Sequence, residues 1–155
     1  MESLTKQKII DLIQSDSEMM AVLNVVESLD LHDWVVCAGF IRNKVWDFIH
    51  NNDTKTQSSD VDVMFFDSQD RNAAISIRKR LQNLRPDINW DVENQAFAHG
   101  NNNDSPYEDT LDSLSKLPET VTSIGVRSYG GELSLIAPYG IDDLVDCVIR
   151  PTPIF

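Results

Sequence analysis

Apolar positions in the first thirty residues recur at helical spacing. Ile9, Ile10, Leu12 and Ile13 form one short stripe, and Met19, Leu23 and Val26 form a second at i, i+4, i+7. Between them Ser15-Asp16-Ser17-Glu18 reads as a capping box, with Ser15 as N-cap and Glu18 at N3. The period then changes. Trp34-Val35-Val36-Cys37-Ala38 reads as a short buried strand ended by Gly39, and Ile41, Val45, Phe48 and Ile49 predict a helix over 40–50. A polar loop over 51–59 leads to a strand from Val61 to Phe66. Ala74, Ile77, Leu81 and Leu84 then predict a helix over 70–84 with those residues inward, and 88–92 reads as another strand. A polar stretch at 101–106 precedes a short helix near 107–114. Segments 121–128 and 133–136 flank Tyr129-Gly130-Gly131-Glu132, a hairpin signal because paired glycines accept positive φ. A last short helix is expected over 138–148.

Strands joined through helices early and by a hairpin late predict an α/β (α+β) fold: a mixed β-sheet with helices mainly on one face. No repeat, low-complexity tract or Pro/Gly-rich linker divides the 155 residues. The expectation is one domain over 1–155, with N-terminal helices (1–30) packed on a core over 33–153. A hydrophobic content of 41% and a mean hydropathy of -0.27 fit a folded, soluble chain. No apolar run reaches the roughly 20 residues of a membrane span, and the first ten residues show no signal-peptide core. Cys37 and Cys147 sit in apolar stretches without a C-x-x-C pattern and read as small core residues. Together these place the protein in the cytoplasm.

Charge narrows the partners. The chain has 25 acidic against 13 basic residues, a net charge of -12 and a pI near 4.4. Such a field repels polyanions over a Debye length of ~8 Å and disfavours extended nucleic-acid binding. A small nucleotide complexed with metal is compatible with it. Arg78-Lys79-Arg80, with Arg71 and Arg85, concentrates basic charge on one helix, but its inward face is apolar, so these residues read as a solvated surface. His32, His50 and His99 have no metal-ligand spacing.

Three features point to chemistry. In Asp60-Val61-Asp62, residues i and i+2 of a strand face one side, so both carboxylates meet one site while Val61 and Val63 face the core. Such a pair suits Mg²⁺ or Mn²⁺, which take oxygen ligands. So acidic a chain also generates D-x-D by chance, so the pair needs company. Gly39, between a strand and a helix, allows a tight turn and close approach of a phosphate to the helix N-terminus, with Arg42 and Asn43 in the first turn. Asp91, alternating with Trp90 and Val92, completes a three-carboxylate cluster if its strand neighbours that of Asp62. Arg127, alternating with Val126, is a further candidate for phosphate contact.

This order of strand, glycine turn, helix, D-x-D strand and later acidic strand resembles that of DNA-polymerase-β-type nucleotidyltransferases. Ala38-Gly39-Phe40-Ile41-Arg42-Asn43 is similar to the G-G-x-x-R-D start of the head domain of CCA-adding enzymes, with Ala38 for the first Gly and Asn43 for the Asp. Trp46, Ser59 to Val63, Phe66-Asp67, Asn94-Gln95-Ala96, His99, Pro106-Tyr107, Ala137 to Gly140, Asp142 to Leu144 and Arg150-Pro151 resemble a bacterial nucleotidyltransferase-like family over about 33–153. The resemblance implies a polymerase-β-like fold, an NTP substrate and an acceptor hydroxyl that it does not identify. It also implies that Asp60, Asp62 and Asp91 ligate metal, with Asp91 helping to activate the acceptor, and that Gly39 and Arg42 contact the triphosphate. The sequence leaves roles for Asn94, His99 and Arg127 open. A catalytically inactive nucleotide-binding or protein-interaction module of the same fold is the alternative reading.

Overall fold

The computed structural model describes residues 4–57 and 60–153. Helix α1 (Lys6–Gln14) opens on Thr5, whose side chain accepts from the Lys8 N–H, and buries Ile9 and Ile13. Ser15 closes this helix: its N–H and hydroxyl both bond to the Asp11 carbonyl. The expected capping role falls instead to Asp16, which turns extended and accepts from the Glu18 and Met19 N–H groups at 3.1 Å. Helix α2 (Ser17–Glu27) then buries Met19, Val22, Leu23 and Val26. The N-cap therefore lies one residue later than expected and, with Met19 at N3, no capping box forms, because Ser15 is still committed to the preceding turn.

Strand β1 (Val35–Cys37) is followed by α3 (Gly39–Ile49), β2 (Val61–Phe65), α4 (Ala73–Leu84) and β3 (Trp90–Asn94). Next come α5 (Gln95–Ala98), a 3-10 turn over His99–Asn102, and α6 (Thr110–Leu114). The hairpin β4 (Gly125–Tyr129) and β5 (Glu132–Ile136) and the short α7 (Asp142–Val145) complete the order. Gly130 and Gly131 take φ of 59° and 84°, the two positive values that a tight two-residue hairpin turn needs. Several expectations shift: the strand expected over 121–128 begins at Gly125, and the last helix, expected over 138–148, is confined to Asp142–Val145. The third strand runs two residues later than 88–92, α5 was not anticipated, and Leu84 in the final turn of α4 is 53% exposed. The inward stripe of that helix is Ala73, Ile77 and Leu81. Cys37 is buried as expected, whereas Cys147 is exposed.

The sheet has the order β3-β2-β1-β4-β5. Among the described residues only the β2–β3 pair is parallel, with α4 as its crossover; β1 pairs antiparallel with β2 and β4, and β4 with β5. Strand alternation divides the side chains. Val36, Val63, Phe65, Trp90 and Val126 pack with Trp34 against Ile9, Leu23, Ile41, Val45 and Leu81 of the first four helices. Burying one such aliphatic side chain contributes about 1.5–3 kcal/mol. On the opposite face Val35, Cys37 and Met64 pack with Leu114 of α6. That short helix leaves the start of β2 and β3 open on this second face, where the acids lie. No helix among the described residues is long and apolar enough to cross a membrane.

Candidate metal and phosphate site

The register sets Asp62 opposite Asp91 on one side and opposite Cys37 on the other. Asp60, just ahead of β2, has the same parity as Asp62. One carboxylate oxygen from each of Asp60, Asp62 and Asp91 lies within 4.8 Å of the others. Asp60 and Asp62 are half-buried and Asp91 is exposed. Three hard oxygen donors from two adjacent strands form the donor set that Mg²⁺ or Mn²⁺ prefers.

The carboxylates of this cluster repel one another. Burial, then the charges of Asp60 and Asp91 and a hydrogen bond to Asp91, push the Asp62 carboxyl up to about 7. Burial and Asp91 also raise Glu93, which shares the face of β3 with Asp91. The Cys37 thiol is raised by burial first and then by Asp62, Asp91 and Glu93, so it is a neutral floor beneath the acids. Glu93 follows Asp91 at i+2, a parity legible in the sequence, but it was not among the expected acids. A divalent cation would relieve this repulsion, so the residues fit the metal.

The turn at the end of β1 differs from expectation. The positive φ belongs to Ala38 (φ 63°, ψ -128°), while Gly39 is already the first residue of α3. The Ala38 carbonyl accepts from the Ile41 and Arg42 N–H groups at 3.1 Å. Since α3 starts two residues after Cys37, the partner of Asp62, its N-terminus stands beside the acids. The Arg42 guanidinium lies over the Trp46 ring, 5.5 Å from its centroid, and donates to Asn43 Oδ1 at 3.3 Å. Both residues thus sit on the helix that borders the acids, with Arg42 stacked along it.

Arg127 lies elsewhere. Its Nη1 pairs with Asp33 at 3.2 Å, and its strand is separated from that of Asp62 by β1. The same Asp33 accepts from the Thr110 N–H, so Arg127 ties β4 to the start of α6. Asn94 caps α5 and exchanges hydrogen bonds with the Asp67 backbone, accepting at 3.0 Å and donating at 2.8 Å. His99 packs edge-on against Tyr107. Arg78 donates to the Trp90 carbonyl and Arg85 pairs with Asp87, so part of the basic cluster has local structural work.

Sequence reading missed a polar node beside the acids. Asp16, with a side chain 2% exposed, receives Lys44 Nζ at 3.0 Å and Lys55 Nζ at 2.8 Å. Burial acts to raise its carboxyl, but hydrogen bonds from Lys55, the Met19 N–H and Lys44 outweigh it and bring it down to about 2. Asp47 of α3 accepts from the Thr56 N–H at 2.7 Å and from the Thr56 hydroxyl and Asn52. Asp16, Lys44, Lys55 and Thr56 wall a cavity of about 290 Å³ that reaches Asp60. No local motif announces these contacts, because their partners lie 28 and 39 positions from Asp16.

Comparison with known proteins agrees with this geometry. A family model described as "Nucleotidyltransferase" matches residues 24–155. A solved solution structure described as revealing a CCA-adding enzyme head domain superposes with a TM-score of 0.86 at 30% identity. The match covers 97% of this chain and 81% of that one. A search of functionally curated proteins returns no match. With its mixed sheet, convergent acids and these likenesses, the chain belongs to the nucleotidyltransferase family.

Proposed function

We propose that the whole chain acts as one catalytic unit, a Mg²⁺- or Mn²⁺-dependent transferase moving an NMP group from an NTP to a hydroxyl on a small molecule or protein. The observation that carries this reading is the convergence of Asp60, Asp62 and Asp91 within 4.8 Å from adjacent strands. These three would hold the metal, which when bound supplies positive charge to the phosphate oxygens at the reacting centre. Asp91, the most exposed of them, takes the proton of the acceptor hydroxyl. The acceptor oxygen forms a bond to the α-phosphorus as the bond to the β-phosphate oxygen breaks, and pyrophosphate leaves. Gly39 at the start of α3 offers backbone N–H groups to the triphosphate, and Arg42 swings from Trp46 to reach it. The net charge of -12 favours a small acceptor over a polynucleotide. Free cysteines are in keeping with a reducing, cytoplasmic setting.

A second reading, a non-catalytic nucleotide-binding or interaction module, draws on Asn43 and Ala38, which replace an acid and a glycine of the related head domains. Titrating each NTP with and without Mg²⁺, against an Asp60→Ala/Asp62→Ala double variant, separates the two. Metal-dependent binding that disappears in the variant is the expected result. Binding indifferent to metal and to the variant favours the module, and no binding of any NTP defeats the enzyme reading.

A further inference from the structure

The N-terminal helix pair joins the wall of the cavity that Asp60 lines through one buried carboxylate. Asp16 lies before the segment matched by the family, 24–155. It is shut from solvent and accepts four hydrogen bonds: two from the α2 backbone, one from Lys44 on α3 and one from Lys55. Lys55 also meets Glu18 at 3.4 Å. One residue further on, Thr56 is fixed to Asp47 through both its N–H and its hydroxyl. Segment 52–57 is therefore held at two points, to α2 by Lys55 and to α3 by Thr56. Only Ser58 and Ser59 separate it from Asp60 in the sequence.

Asp62 and Asp91 are fixed by sheet pairing, whereas Asp60 stands ahead of the strand. It lines the same cavity as Lys55 and Thr56. We propose that Asp16 is a positioning residue for the metal site: through Lys55 it anchors segment 52–57, which shares a cavity wall with Asp60, making the N-terminal helices part of the catalytic unit. The inference rests on the metal-dependent reading above. Partners that orient first ligands typically contribute 10–100-fold to metal affinity. Asp16 acts one step further out, so about fivefold is expected.

The test uses the full chain and Mn²⁺ alone, with affinity read by electron paramagnetic resonance of free Mn²⁺. Asp16→Asn keeps an oxygen to cap α2 and loses the charge that holds the lysines. Lys55→Met breaks the clamp from the other side, and Lys55→Arg restores a cation. Positioning requires that Asp16→Asn and Lys55→Met both weaken Mn²⁺ binding about fivefold, that Lys55→Arg recovers it, and that Thr56 amide exchange speeds up in the first two. A simple field effect gives opposite signs, since removing a cation near the acids tightens Mn²⁺ binding. Tighter binding in Lys55→Met, unchanged affinity in both variants, or loss only alongside helix content on circular dichroism overturns the proposal. Absence of Mn²⁺ binding by the unaltered protein instead removes the metal-dependent reading itself, and the inference with it.

Discussion

Ala38 occupies a backbone conformation that residues with a Cβ rarely adopt, φ 63° and ψ -128°, directly between β1 and the helix beside the acids. Such strain is worth about 1–3 kcal/mol, against a glycine entropy cost of about 0.5–1 kcal/mol. Ala38→Gly should therefore stabilise the protein by about 1 kcal/mol, raising the thermal midpoint by ~2–4 °C in calorimetry. A lower midpoint would show that the Ala38 methyl group contributes more in packing than its backbone costs. Asp62 yields a pH prediction. Its folded-state carboxyl is raised from 3.8 to about 7, so the folded state prefers the proton. That contribution to stability is complete below about 4 and is lost as pH rises through about 7 in the metal-free protein. On the metal-dependent reading Mg²⁺ would substitute for the proton, so the stabilisation it confers should grow between pH 5 and 8. Asp62→Asn should flatten both trends, as thermal melts at each pH would reveal. Equal Mg²⁺ stabilisation at both ends of the range would contradict the assignment of Asp62 as a ligand.

At the level of elements, legibility tracked how local the cause was. The Gly130-Gly131 turn was readable because it needs only its own two residues, and β5 ends up where the turn puts it. The parity of Asp60 and Asp62 was readable for the same reason, and Asp91 needed only one further step, that its strand be a neighbour. Errors of register arose where long-range contacts decide. The strand expected at 88–92 starts at Trp90, since Val61 pairs with Trp90 and Asp62 with Asp91. The helix opened by Asp16 was assigned to Ser15, whose hydroxyl is taken by Asp11 of the previous helix. Arg127 alternates as a phosphate ligand would, yet its partner Asp33 lies 94 positions away, where no local pattern reveals it. The Asp16 node was invisible on the same ground.

Across the whole molecule the two sheet faces divide the labour. One carries the helices and the large core, and the other carries α6 and the acids, so repulsion among carboxylates is kept away from the main packing. The negative field of the chain adds to this repulsion and makes a bound cation a stabilising component. The parallel pairing of β2 and β3 has a kinetic consequence. Asp62 and Asp91 meet only after α4 has crossed over and docked, a long-range step that antiparallel neighbours joined by a turn avoid. Asp60 further requires the N-terminal helices to be in place if Asp16 sets its position. If the acid cluster assembles after the folding barrier, an ion that recognises it has nothing to hold beforehand. Stopped-flow measurements should show Mg²⁺ slowing unfolding while leaving the refolding rate unchanged. An Mg²⁺-accelerated refolding limb would mean that β2 and β3 pair early. On this view the metal is a lock on a finished fold, and its loss would shorten the lifetime of the folded chain without hindering its formation.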